Sequence, residues 1–315
     1  MSVEETYSQL RKEIGRVIFG QDTTIELALA ALFSSGHVLL EGVPGTAKTL
    51  LVRTIAAALR MSFRRVQMTP DVLPGDITGT SIYREPTRQF EFAPGPAFTN
   101  FLLADEINRA SAKTQSALLE AMQELTVTSD GLVHRLPQPF IVFATQNPIE
   151  HEGTYPLPLA QLDRFMFKIS VEYPGSHEEE RILREHHATG ATSTPASLGV
   201  KAILEPETVL AVRETIRQTF VRNDVIGYVQ RLLQATRDEE NLAVGASPRA
   251  GLMLLIAAKS LARFTGRDFV TPDDVKAAFH ATMRHRVVLS AAAELEGTPV
   301  DDTLSNILDS TEVPR

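Results

Sequence analysis

The chain has 315 residues, 43% hydrophobic and 22% charged, a composition ordinary for a soluble globular protein with room for two domains. It contains no cysteine, which excludes disulfides, thiolate nucleophiles and cysteine-held zinc or iron–sulfur centres and agrees with a cytoplasmic location. Its net charge of −8 argues against a general nucleic-acid-binding surface while leaving a local basic channel open.

Along the chain, Glu4, Glu5, Arg11, Lys12, Glu13 and Arg16 make the opening segment too charged for a signal peptide. A helix is expected near 22–34. Its apolar run Leu27–Phe33, like Leu252–Ala258 later, is too short to cross a bilayer, so no membrane insertion is expected. An apolar strand over 37–41 then runs into Gly42-Val43-Pro44-Gly45-Thr46-Ala47-Lys48-Thr49, and a helix follows over 48–60. Strand, glycine-bearing loop and helix in that order form a phosphate cradle. The loop turns its N–H groups inward, and the helix adds its dipole and unpaired amides. Lys48 is expected to reach the β- and γ-phosphates of ATP and Thr49 to coordinate Mg²⁺, with the nucleotide-binding stretch running from Gly42 through Leu50. Ala47 stands where a second glycine usually precedes the lysine. Alanine fits there only with a negative φ, since a positive one costs a non-glycine residue about 1 kcal/mol.

A second strand is expected over 63–67. Arg60, Arg64 and Arg65 beside it read by default as a solvated face, with a subunit or nucleic-acid contact as the alternative. Thr78–Tyr83 and Gln89–Ala93 flank a turn at 84–88 and form a candidate hairpin insert, near 76–96. The strand 101–105 ends in Asp105-Glu106, and ligands of open α/β sheets bind at that carboxyl edge. Asp105 is expected to hold the Mg²⁺ shell and Glu106 to polarise the attacking water. A helix over 110–124 follows. A second hairpin near 124–137 turns at Ser129-Asp130-Gly131, with strands over 140–145 and 166–171 beyond it. The alternation predicts a parallel sheet with helices on both faces.

After Tyr173-Pro174-Gly175 the strand signal ends. Glu178-Glu179-Glu180 supports a helix start, His186-His187 reads as a solvated helix end, and 188–198 has the composition of a linker. Helices are expected over 206–219, 224–237, 247–264 and 271–285. The division is thus an α/β core over 1–175, a linker and all-helical lid over 176–293, and a tail over 294–315. The eight histidines show no metal-ligand spacing.

Four further stretches carry a family likeness: Thr69–Gly79, Leu103–Ala110, Ala144–Glu150 and Gln161–Phe165, with Gly245–Arg249 in the helical part. Together they resemble the MoxR family of AAA+ ATPases over nearly the whole chain. The resemblance implies a five-stranded core of order 5-1-4-3-2, a helical lid and ring assembly, usually as hexamers. It also implies roles for single residues. Asn147 is placed as the sensor that orients the lytic water, with a turn residue as the alternative. Arg164 is placed as the finger reaching a neighbour's nucleotide, with a salt bridge to Asp163 as the alternative. Arg249 is placed as the lid's sensor, in its own subunit's site or a neighbour's. Val17–Gln21, with Ile18 and Gly20, is placed at the adenine, although a plain core-entry segment explains it nearly as well.

The function implied is that of an ATP-hydrolysing chaperone or assembly factor for partner complexes. Proteins with a von Willebrand factor A-type domain are common partners, and insertion of metals or cofactors a common outcome. A DNA-dependent motor related to replicative helicases, or a non-hydrolysing nucleotide-gated module, are the alternatives. The acidic balance speaks against the first, and Glu106 with Arg164 against the second.

Overall fold

The computed structural model describes residues 2–148, 154–186 and 194–314. Ile149 and Glu150, His187 and residues 188–193 of the expected linker lie outside the described residues. Helix α1 (Val3–Ile14) opens the chain under a capping box, in which Ser2 and Glu5 satisfy each other's backbone amides. Helix α2 (Asp22–Phe33) is apolar on nearly all sides and accordingly buried, with Ala28 to Phe33 at 1% exposure or less. The alternating unit follows: β1 (Val38–Glu41), α3 (Lys48–Ala58) and β2 (Phe63–Gln67). The short α4 (Pro74–Thr78) leads into the first hairpin, β3 (Gly79–Arg84) and β4 (Gln89–Pro94), and β5 (Phe101–Asp105) comes next.

A 3₁₀ turn at Ile107–Arg109 and α5 (Ala112–Glu124) stand where a single helix from 110 was expected. The break is physical: Ser111 caps α5 through the Thr114 amide, so a new helix starts there. The second hairpin, β6 (Thr126–Ser129) and β7 (Leu132–Arg135), turns through Asp130 and Gly131 at φ 50° and 77°. These are the left-handed conformations that a two-residue hairpin turn needs. Strand β8 (Ile141–Gln146), α6 (Leu159–Leu162) and β9 (Phe167–Ser170) complete the core.

The five core strands pair in parallel in the order β2-β5-β8-β1-β9. Counted by sequence, that is the expected 5-1-4-3-2. Both faces are covered, as an all-parallel sheet requires. Leu40, Phe101, Leu103, Ile141 and Phe143 join one apolar cluster, while Leu39, Leu102, Ala104, Val142 and Ala144 join another. His37 is locked at the sheet's lower end. Its Nδ1 accepts from the Val142 amide at 3.0 Å, leaving Nε2–H to donate to the Met122 carbonyl at 3.1 Å. Burial pushes this imidazole down to about 4, so it is neutral at physiological pH.

Beyond the core come α7 (Ser176–His186), α8 (Pro206–Arg217), α9 (Asn223–Asp238), α10 (Pro248–Phe264) and α11 (Pro272–Met283). The region is not wholly helical, because β10 (Leu242–Val244) and β11 (Val288–Leu289) form a small antiparallel ribbon. The expected tail is also ordered. After α12 (Ala291–Glu296), α13 (Val300–Ser310) packs on α9 and α11 and buries Leu304 and Ile307. Helix α1 lies between α3 and α10, with Tyr7 stacked on Phe264 at 4.1 Å between ring centroids.

A buried arginine joins α11's end to the segment before β9. Arg286 donates through Nε to Asp163 Oδ1 at 2.6 Å, and through Nη1 and Nη2 to the carbonyls of Met166 and Phe165 at 3.0 and 2.6 Å. His285 Nε2 reaches the Phe165 carbonyl beside it at 3.0 Å. Among the described residues no helix is long and apolar enough to cross a membrane.

Candidate functional site

The loop between β1 and α3 opens a cavity of about 410 Å³ at the carboxyl edge of the sheet. Gly42, Pro44, Gly45 and Thr46 through Leu50 line one side; Asp105, Glu106 and Asn147 line the other. The loop's two glycines serve different ends. A Cβ at Gly42 would collide with the Val171 carbonyl, so the residue is small to let the loop cross β9's exit. Gly45 sits at φ +89° facing open space, so there the need is conformational.

Ala47 departs from expectation, since its φ is 59° rather than negative. The loop imposes a left-handed conformation that alanine tolerates at a cost of about 1 kcal/mol. Across the cavity Glu106 adopts the same conformation at φ 57°. Two strained non-glycine residues thus face each other over one site, the usual location of such strain.

Lys48 Nζ donates to the carbonyls of Gly42 and Val43, each at 2.7 Å, and to Thr46 Oγ1 at 3.2 Å. Burial lowers its pKa, while Asp105 and Glu106 oppose that shift. Val43 contributes that carbonyl rather than a cavity wall. Thr145 ties the acidic pair together. Its hydroxyl donates to Asp105 Oδ1 at 2.5 Å and accepts the Glu106 amide at 2.8 Å.

Three more residues that, like Thr145, were not expected at the site hold the carboxylates. Arg65 on β2 grips Asp105 Oδ2 through Nη2 at 2.5 Å and Nε at 3.0 Å. Gln67 Nε2 and Arg109 Nη1 both donate to Glu106 Oε2, at 2.8 and 3.1 Å. Arg65 therefore belongs to the cavity wall and not to a solvated basic face. Its signal was present in the sequence. With β2 next to β5, Gln67 aligns with Asp105, and residues 65 and 67 share one face of the strand.

The donor set suits Mg²⁺ with a nucleotide. Among the described residues no three His, Asp or Glu side chains gather into a self-sufficient metal cage. Thr49 and Asp105 would instead complete a shell made largely of phosphate and water oxygens, the usual arrangement for this cation.

Other expected residues lie elsewhere. Ile18 is buried and Gly20, at φ +69°, rests against Glu178 of α7; neither lines the cavity. Gln21 links their segment to the loop by donating to the Thr46 carbonyl at 3.2 Å. Arg164 and Arg249 line a separate cleft with Gln123 and Met253, near the opposite end of β1. Arg164 donates to Gln123 Oε1 at 3.1 Å and to the Ala160 carbonyl at 3.0 Å. Asp163 is engaged by Arg286 at 2.6 Å and by Arg249 at 3.4 Å, in place of the salt bridge to Arg164.

Residues 37–167 match the ATPase family associated with various cellular activities, and residues 234–307 match the AAA lid domain. The chain is 47% identical to Chaperone MoxR1 of Mycobacterium tuberculosis, over 96% of its own length and 81% of that protein's. It is 30% identical to Protein MoxR of Methylorubrum extorquens, over 98% and 95%. A crystal structure of a protein from Cytophaga hutchinsonii superposes with a TM-score of 0.90 at 39% identity, covering 99% of this chain and 96% of that one.

Proposed function

Since this chain belongs to the MoxR family of AAA+ ATPases, we propose that it hydrolyses Mg²⁺-ATP and uses the cycle to remodel or mature partner protein complexes. The observation that carries the reading is the single cavity in which the phosphate loop, Lys48, Thr49, Asp105, Glu106 and Asn147 meet. The loop amides and the α3 N-terminus bind the phosphates, and Lys48 exchanges the Gly42 and Val43 carbonyls for phosphate oxygens. Thr49 and Asp105 would hold Mg²⁺, which would neutralise charge at the β- and γ-phosphates. Glu106 takes the proton of the attacking water once Gln67 and Arg109 release its carboxylate, and Asn147 orients that water. Ile18 and Gly20 would take the adenine from beyond the loop.

We place Arg164 and Arg249 in a neighbouring subunit's site. Their shared cleft lies apart from their own phosphate loop, and a ring supplies a second loop to face it. The assembly proposed is a homo-oligomeric ring, a hexamer by family habit, working in the cytoplasm. Its clients are protein complexes that include von Willebrand factor A-type domain proteins, with metal or cofactor insertion as one outcome of the work.

Two variants test the chemistry. Glu106→Gln is expected to bind Mg²⁺-ATP with near wild-type affinity and hydrolyse it at least about a hundredfold more slowly, as loss of a general base predicts. Lys48→Ala is expected to lose binding itself. Wild-type turnover by Glu106→Gln, measured as phosphate release, would remove Glu106 from the role of base.

A further inference from the structure

Both oxygens of Asp105 are already engaged, in two different ways. Oδ1 accepts the Thr145 hydroxyl, a buried group on a central strand that is itself fixed by the Glu106 amide. Oδ2 accepts two nitrogens of Arg65, whose side chain is 50% exposed on the edge strand β2. The first contact is part of the packed core. The second ends a long, half-exposed side chain on the sheet's edge strand.

The same guanidinium reaches further. Arg65 Nη2 also donates to Gln67 Oε1 at 3.0 Å, and Gln67 Nε2 donates in turn to Glu106 Oε2 at 2.8 Å. Asp105, Arg65, Gln67 and Glu106 thus form one continuous polar chain, with the metal's carboxylate at one end and the base at the other. A guanidinium and a divalent cation compete for one carboxylate oxygen, because two positive charges brought close together repel.

We propose that Arg65 is a metal-displaced latch: it occupies Asp105 until Mg²⁺-nucleotide arrives, and its departure frees Gln67 and so loosens the grip on Glu106. Arg65 thereby makes release of the base conditional on cation loading. The latch acts through Asp105 and Gln67, so Arg65 is a positioning residue. The inference rests on the reading of this cavity as a Mg²⁺-nucleotide site.

Its test is an equilibrium one. Binding of a fluorescent ADP analogue is measured with Mg²⁺ and with EDTA, and Mn²⁺ bound beside ADP is counted by electron paramagnetic resonance. Arg65→Gln removes the competitor and is expected to tighten Mn²⁺ binding about two- to fivefold, the span of a half-exposed ion pair. Arg64→Gln removes the same charge from the other face of the strand and is expected to match wild type. Arg65→Lys keeps the charge without the fork and is expected to fall between, which separates the latch from a folding defect. Unchanged or weaker Mn²⁺ binding by Arg65→Gln, with ADP bound, would overturn the latch and leave the nucleotide site standing. Failure of wild type to bind ADP with or without metal would overturn the site itself, and the latch with it.

Discussion

At the scale of single residues, the site is built from groups held in conformations they would not choose. Ala47 at φ 59° is the clearest case, because nothing in its side chain rewards the strain. Ala47→Gly is expected to raise the free energy of unfolding by up to about 1 kcal/mol, read from urea denaturation, since glycine adopts that φ freely. An unchanged or lowered midpoint would mean that the loop relaxes elsewhere. His37 gives a pH-dependent counterpart. Its folded pKa, about 4, lies below the ordinary value near 6.5, so between those values the unfolded chain binds the extra proton. Stability is therefore full above about pH 6.5 and falls as pH drops towards 4, by about 3 kcal/mol in total from this group. Buried His285, also pushed down by burial and Arg286, adds in the same direction. His37→Gln is expected to flatten the dependence between pH 7 and 5; a slope as steep as wild type's would assign the effect to other groups.

Among elements, the sequence displayed what depends on local pattern and hid what depends on partners. The core strands were legible because β1, β5 and β8 are short, continuous apolar runs, and the second hairpin because Asp130-Gly131 fits only a left-handed turn. Helix α13 was missed although its pattern was present, with Val300, Leu304, Ile307 and Leu308 at helical spacing and Asp301 and Asp302 in the first turn. Arg65 and Gln67 were missed for a different reason. On β2 they look like ordinary solvated polar residues, and it is the register, with Gln67 opposite Asp105, that brings them to the acidic pair. Because Leu304 is fully buried, Leu304→Ala is expected to cost about 2–4 kcal/mol in unfolding free energy, a value foreign to a loose tail. A cost under about 0.5 kcal/mol would return 300–310 to that status. The two hairpins, read separately from the sequence, prove joined, with Phe92 stacked on His134 at 3.8 Å between centroids.

For the whole molecule, the distribution of arginines predicts that activity is a property of assemblies. Arg164 lies away from its own cavity, so specific activity is expected to rise with protein concentration as rings form. Arg164→Ala is expected to bind ATP yet lose about 10³–10⁵ in rate, the contribution of such a finger in related phosphoryl transfer. Mixing it with Lys48→Ala should restore part of the activity, because some interfaces then pair an intact loop with an intact finger. Concentration-independent turnover and no rescue in verified mixed rings would return Arg164 to a structural role. In the proposed ring, Arg286 would give the assembly its sense of direction. It fastens the end of α11 to residues 163–166, so the helical domain and the finger turn on a common pivot. In the proposed ring, a tilt of that domain over its own nucleotide would be delivered as a displacement at the next subunit's phosphates. By reciprocity, the neighbour's occupancy biases the tilt. Nucleotide saturation should accordingly be cooperative in rings, and Arg286→Lys, which frays the pivot, should bring its Hill slope towards one.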